Sequence, residues 1–267
     1  AYKDDKFKVW RCPHCQTIHC LDIVDLDFYY AKYHTAGAAL TWAHRFIYDC
    51  LCRQLTKHGF SKTHSLLDYG CGANGLFVRH LQQRGFTHSY GYDPYGPSDG
   101  FGNPTILQRA PFDYISLQEV IEHVEDPRPV LSQLNSLLSP KGYILISTPN
   151  AANLNLKRPD LPDNAGCIHV PYHLHIYTRE TLESLGRSQG WEPVAFFDRK
   201  YDDTSWFGFN SRAACEYACL IDGSMDVFNE PLKLWKMFSS PKFLFWATFG
   251  YWLSSRPVMS IMFRKNL

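Results

Sequence analysis

The stretch LLDYGCGANG, Leu66 to Gly75, constrains this chain more than any other. A short apolar run ends in an acid, two glycines follow with one residue between them, and an Asn-Gly pair opens an amphipathic run. That order predicts a buried parallel strand, a tight turn where bare backbone meets a ligand, and a helix whose N-terminus faces it. The spacing Gly70-x-Gly72-x-x-Gly75 fits the fingerprint of dinucleotide sites. Asp68 points elsewhere, because a carboxylate two residues before the first glycine repels a pyrophosphate and attracts a cation. Asp93 ends the next apolar segment eighteen residues after Gly75 (93 − 75), close to the ~20 at which an acid grips ribose hydroxyls. A ligand with positive charge and a ribose diol but no phosphate suits both acids.

The stretch resembles motif I of the class I methyltransferases, acid-x-Gly-x-Gly-x-Gly, whose cofactor is S-adenosylmethionine. The third glycine position departs from that pattern, with Asn74 there and Gly75 one later. Asn tolerates left-handed backbone, so the departure reads as a variant. Farther on, FDYISL (Phe112 to Leu117) reads as a strand and runs into QEVIEHVEDP. That string resembles the E-x-x-E-H-x-x-D-P signature of small-molecule methyltransferases related to ubiquinone biosynthesis. The resemblance covers roughly Leu40 to Gly190 plus the last strand. It implies an α/β fold with a doubly wound, mostly parallel seven-stranded sheet of Rossmann-like type. It also implies methyl transfer from S-adenosylmethionine to O, N or C of a small molecule, with S-adenosylhomocysteine as product. Cofactor contacts carried over by the resemblance are Asp68, Gly70, Cys71, Gly72, Asn74, Asp93, Pro94, Gln118 and Glu119. A nicotinamide-dependent oxidoreductase is the rival enzyme, disfavoured by Asp68 and by the single nucleotide half. A cofactor-binding scaffold without catalysis is the rival outside enzymes, and a missing acceptor pocket beside Glu119 would favour it.

In open α/β sheets ligands sit at the carboxyl ends of strands, so Gln118 and Glu119 fall beside the reacting centre. Glu119 and His123 are four residues apart and share a face on a helical turn. Three roles are open for this group: His123 as general base, a shaped wall for the acceptor, or a divalent cation held by Glu119, Glu122 and His123. A purely structural role, in which Glu122 and His123 buttress the loop, stands beside them. Another candidate cluster lies in the long segment NLNLKRPDLPDNAGCIHVPYHLHIYT, since loops longer than ~12–15 residues are usually functional. His169, His173 and His175 lie there, and on an extended segment His173 and His175 point the same way. No Asn-Pro-Pro-Tyr type tetrapeptide follows the fourth strand, which argues against methylation of an exocyclic base amine.

Composition narrows the partners. Lys+Arg of 27 against Asp+Glu of 26 gives no electrostatic pull toward nucleic acid. No run approaches the ~18 apolar residues of a spanning helix. Nine scattered cysteines do not form a disulfide framework, so a reducing cytoplasm is the expected setting. Near the start, VWRCPHCQTIHC carries one C-x-x-C knuckle, Cys12 and Cys15, with His19 and Cys20 beyond it. The segment is similar to the second half of the zinc ribbon that precedes some small-molecule and sugar methyltransferases. Zinc held by Cys12, Cys15 and Cys20 (or His19), a vestigial ribbon, and plain reduced thiols all remain open, because zinc ordinarily takes two such knuckles.

The rest of the chain alternates as an α/β fold should. A helix is expected over Leu40–His58, strands over Ser65–Tyr69 and Ser89–Asp93, and a short third strand over Thr105–Gln108. After the fourth strand come a helix from Pro127, a strand over Tyr143–Ser147, a helix from Glu180 with Thr178 as cap, and a strand over Trp191–Phe197. The last strand is PVMSIMFR, Pro257 to Arg264, antiparallel and paired with the sixth in a hairpin. Between them Tyr201 to Arg256 holds fourteen of the 41 Phe, Trp and Tyr residues. Helices are expected there at Asn210–Ile221, Pro231–Phe238 and Pro241–Leu253. The insertion reads as a lid on the acceptor pocket or a homodimer face, ahead of an interfacial membrane helix, because FLFWATFGYWL lacks a basic polar face. The domain division is therefore 1–38 knuckle segment, 39–200 methyltransferase core, 201–256 aromatic insertion and 257–267 last strand.

Overall fold

The apolar runs of the central strands alternate in destination, and that alternation builds the molecule. In the computed structural model, which describes residues 6–20, 22, 24–25, 39–157, 166–223, 227–228 and 230–266, six strands form one sheet. They are β3 (Leu66–Tyr69), β4 (Ser89–Tyr92), β5 (Phe112–Gln118), β6 (Leu138–Pro149), β8 (Trp191–Phe197) and β9 (Val258–Lys265). Their order is β4-β3-β5-β6-β9-β8. The first four run parallel, and β9 lies antiparallel between β6 and β8. Leu67, Ile115, Ile144, Ile146, Ile261 and Phe263 go to one face and Leu66, Tyr114, Leu145 and Met262 to the other. Strands covered on both faces have to be apolar at every position, which is why PVMSIMF shows no alternation. Each Leu or Ile so buried contributes roughly 1.5–3 kcal/mol.

Helices cover both faces. On the Leu66 side lie α1 (Trp42–Lys57), which buries Leu51 and Leu55, and α2 (Leu76–Gln83), which buries Phe77 and Leu81. On the other side lie α3 (Pro127–Leu137) and α4 (Arg179–Ser188). Pro127 occupies the first turn of α3, where its missing N–H costs nothing. Thr178 caps α4 in a reciprocal box with Thr181. The insertion folds as α5 (Ser211–Ile221), α6 (Leu234–Ser239) and α7 (Pro241–Leu253) around its own small core of Ala213, Tyr217, Ala218, Phe243 and Ala247.

One expectation needs correcting here. The sheet has six strands among the described residues, not seven, because Thr105–Gln108 is not a strand. Asn103 caps and Pro104 starts a 3-10 turn over Pro104–Arg109, and a residue lacking N–H cannot extend the ladder on its donor side. The N-terminal knuckle joins the histidine-bearing segment in a second, small sheet. Strands β1 (Val9–Arg11) and β2 (Ile18–Cys20) form a hairpin that adds β7 (His175–Ile176) as its third strand. Much of the 1–38 segment, and residues 158–165 of the long histidine-bearing loop, lie outside the described residues. No described helix is long and apolar enough to cross a membrane.

Candidate active site

The glycine turn after β3 is tied down by backbone bonds to β4. Gly70 N–H donates to Tyr92 O at 2.7 Å. Asp93 accepts from Gly72 N–H at 2.8 Å and from Tyr95 N–H at 2.9 Å, so its carboxylate knots the two turns together. Gly70 sits at φ +79°, and a Cβ there would come within 2.3 Å of Val120. Gly72 has open space where a Cβ would stand, so its backbone faces the groove bare. The left-handed residue entering α2 is Gly75 at φ +53°, not Asn74. The variant thus works by moving the glycine, and Asn74 needs no unusual backbone. Phe101 lies over Gly75, with its ring 2.1 Å from where a Cβ would be. Sequence reasoning missed it; a lone large aromatic inside a Gly/Pro-rich loop was the available signal.

Asp68 is buried at the carboxyl end of β3 and accepts from Ser116 Oγ on β5 at 2.5 Å. Burial pushes its carboxyl up to about 7, the Ser116 bond opposing and the nearby Asp93 adding. Cys71 is pushed up by the same burial and acids, so it is an inert thiol rather than a nucleophile. Gln118 leaves its Oε1 buried without a hydrogen bond. Pro94 is exposed at the rim of the Asp93 turn.

Glu119, the residue after β5, takes φ +52°. Its N–H donates to Ser147 O at 2.9 Å and its carboxylate accepts weakly from Ser147 Oγ at 3.5 Å. A non-glycine residue in this region of backbone space is uncommon and clusters at functional sites. Glu122, fully buried, accepts from Thr148 Oγ1 at 3.0 Å on one oxygen, while its Oε1 is buried without a hydrogen bond. Both carboxyls are pushed up, chiefly by burial, and Glu122 the more because Glu119 stands beside it. Neighbouring buried carboxyls disfavour ionisation of both together. His123 and His173 meet edge to face at 4.7 Å. Burial holds their rings near pKa 4 and 3 respectively, so both are neutral imidazoles. His173 Nδ1 donates to Cys167 O at 2.7 Å.

Beside Glu119 opens a cavity of about 420 Å³ between α1 and the insertion. Its wall is apolar (Phe46, Ile47, Phe207, Phe209, Met237, Phe238), and its polar end gathers Glu119, His173, Lys200 and Asp202. Lys200 Nζ lies 4.0 Å from Asp202, which holds the ammonium firmly charged against the cost of burial. Lys200 and Asp202 were missed from the sequence, although KYDD follows the sixth core strand directly. From the insertion, Phe207 and Phe209 line the cavity, while Trp206 stands outside and packs on Phe46 at 5.9 Å.

The expectation that His173 and His175 share an aim is corrected. His175 begins β7, where pairing with β2 sets it opposite His19. Its Nδ1 lies 2.9 Å from His19 Nδ1 and its Nε2 donates to Glu125 O at 3.0 Å. His175 fastens the hairpin and does not line the cavity. At the hairpin's tip the Cys15 thiol contacts Cys12 and Thr17, whereas Cys20 at its base is pushed up by burial. Among the described residues, the ligand group that closes to within 4.8 Å is Glu122, His123 and His173. Cys12, Cys15 and Cys20 do not form one.

Residues 41–195, more than half of the chain, match the family described as a methyltransferase domain. Two solved structures show the same fold at low identity. One is a chain of the complex between the Haloferax volcanii Trm112 methyltransferase activator and a methyltransferase, at TM-score 0.53 and 12% identity over 92% of this chain and 100% of that one. The other is a Haemonchus contortus phosphoethanolamine N-methyltransferase, at TM-score 0.51 and 13% identity over 94% of this chain and 63% of that one. No curated protein matches the chain in sequence.

Proposed function

The chain belongs to the methyltransferase-domain family and is a methyltransferase; from that premise we propose that it methylates a small-molecule acceptor using S-adenosylmethionine. One observation carries this reading. The Asp68–Gly72–Asp93 turn follows β3, and Glu119, which lines the cavity, follows β5, the strand paired beside it. The residues fit the cofactor on three counts. Gly72 offers bare backbone to the groove, Gln118 Oε1 is buried and in want of a donor, and Asp68 gains a reason to ionise when a cation faces it. When bound, S-adenosylmethionine supplies a methyl group on a sulfonium that leaves without further activation.

The protein's own part is to align, dry and deprotonate. The apolar wall excludes water, and holding two reactants aligned in a dry site can account for much of such a rate. Glu119, lining the cavity, takes up the proton of an acceptor hydroxyl or amine, with burial raising its affinity for that proton. His123 and His173 flank this pair as neutral rings and set the shape of the polar end. Lys200 and Asp202, at the same polar end, orient the acceptor's polar group. Calorimetry tests the premise: S-adenosylhomocysteine should bind and NAD should not, and the reverse result would sink the proposal.

A second reading has its own support, because neutral imidazoles are the form in which histidine binds metals and Glu122, His123 and His173 lie close together. If a divalent cation worked there, EDTA would abolish turnover and Mn²⁺ would restore it. Under the acid–base reading chelation leaves the rate alone while His123→Ala still lowers it. Zinc at the hairpin is a separate proposal. Metal analysis of the purified protein, with and without Cys12→Ser and Cys15→Ser, tests it.

A further inference from the structure

The insertion leaves an apolar face uncovered, and that face is continuous with the mouth of the cavity. α7 buries Phe243, Ala247 and Gly250, with Phe243 and Ala247 in the core shared with α5. It turns Phe245, Phe249 and Trp252 outward. Beside it α6 buries nothing and leaves Trp235 70% and Phe238 60% exposed. Leu234 and Phe238 also line the cavity, so one side chain belongs to both the outer patch and the inner wall. Exposed rings gathered in this way mark an interaction site rather than ordinary surface.

The charges around the patch narrow what covers it. From Pro231 to Arg256 there is no Asp or Glu, while Lys233, Lys236, Lys242 and Arg256 are present. Lys233 lies 3.8 Å from Glu230 and Arg256 pairs with Asp198, while Lys242, 66% exposed at the start of α7, shares the one carboxylate of Glu216 with Arg212. The excess charge is therefore positive, carried by that pair and by Lys236, which lies over the Trp235 ring at 5.7 Å. A second copy of this chain would set those cations against their own equivalents across a two-fold axis, which disfavours a homodimer here. Anionic headgroups complement them, and Trp with Phe beside Lys is the chemistry of the water–lipid boundary. The lack of a basic polar face on α7 is no objection, because α5 covers that side and α6 supplies lysines. We propose that the outer face of α6 and α7 docks on a phospholipid surface carrying anionic lipid, with the cavity mouth at the boundary. An acceptor with an apolar body can then pass from the lipid into the cavity; this consequence, unlike the docking itself, rests on the methyl-transfer reading.

Co-sedimentation of the full chain with vesicles tests it, using phosphatidylcholine alone and phosphatidylcholine with phosphatidylglycerol. The chain should pellet with the mixed vesicles and do so less at high salt. The exposed triple variant Trp235→Ser, Phe249→Ser, Trp252→Ser should need about tenfold more lipid or lose binding altogether. Quenching of wild-type tryptophan fluorescence by brominated lipid is a second readout that needs no variant. Failure of the wild type to pellet, or equal binding by the triple variant, would overturn the proposal. So would a lipid-free dimer that the same three substitutions dissociate. Calorimetry with S-adenosylhomocysteine on the same samples separates the two ideas, since cofactor binding can fail while vesicle binding holds.

Discussion

A carboxyl buried at the end of β3 with one hydroxyl for a partner is costly to ionise, and Asp68 is held near 7 for that reason. The folded state keeps this proton up to about pH 7, while an unfolded chain releases it near the ordinary value of 3.8. Since the unfolded state binds fewer protons in that window, the group's contribution to stability is full below 3.8 and is lost as pH rises toward 7. A cationic ligand reverses the balance by favouring the ionised form. Affinity for S-adenosylmethionine should therefore rise about tenfold between pH 6 and 8, and Asp68→Asn should flatten the dependence. Calorimetry at three pH values reads this directly. The turn beside it gives a matched pair of substitutions. Gly70→Ala meets Val120 at 2.3 Å as well as unfavourable backbone, and should lower the melting temperature by an amount equivalent to roughly 2–3 kcal/mol. Gly72→Ala meets nothing within 4 Å, so about 1 kcal/mol of backbone strain is expected, with its larger effect on cofactor affinity.

At the scale of elements, the insertion lines the cavity proposed for the acceptor. The cavity is lined by α1, α5 and the loop carrying Phe207 and Phe209, while the glycine turn lies outside it. Replacing Phe207 and Phe209 with Ala should leave S-adenosylhomocysteine binding within about twofold and cut kcat/KM on the native acceptor by about tenfold, since both rings line the cavity although Phe207 stays 49% exposed. Adding Trp206→Ala should cost little more, since that ring is outside. Normal turnover by the triple variant would remove the insertion from acceptor binding. How much of this was legible follows the range of the forces involved. The core strands, α3's proline start, Thr178's cap and the helix Pro241–Leu253 are written in local periodicity and capping chemistry. Thr105–Gln108 read as a strand because its apolar residues are too few to distinguish a 3-10 turn from an extended segment. The site divides in the same way: Asp68, Gly70 and Glu119 sit where strands end, and position in a strand is local. Lys200, Asp202 and Phe101 reach their places through long-range folding of loops, and His175 was misplaced because its partner His19 is 156 residues away.

Taken whole, the molecule uses its N-terminal hairpin as a clamp on the turn after β6 and the segment that carries His173. Arg11 donates from one guanidinium nitrogen to Ala151 O at 2.7 Å and from the other to Leu154 O at 2.8 Å, gripping the turn that follows β6. Ile18, from the same hairpin, is buried against Ala151, Leu154, Cys167 and Val258. From there the connection runs through backbone. Cys20 N–H donates to Leu174 O at 3.0 Å, and Leu174 N–H donates to Glu122 O at 2.8 Å. The hairpin thereby fixes the segment that carries Cys167 and His173 against the Glu119–Glu122 pair, without touching the glycine turn. Arg11→Ala removes the grip on both carbonyls and should cost roughly 1.5–3 kcal/mol, as expected for hydrogen bonds from a charged group. Because the loop then samples other positions, kcat should fall severalfold, while the dissociation constant for S-adenosylhomocysteine stays within about twofold. Arg11→Lys, which keeps the charge but lacks the fork that spans two acceptors, should restore only part of the loss. A melting curve, a calorimetric titration and an initial-rate measurement on the same preparations distinguish this clamp from a passive decoration. If Arg11→Ala melts lower yet turns over normally, the hairpin stabilises the fold and does not hold that segment for catalysis.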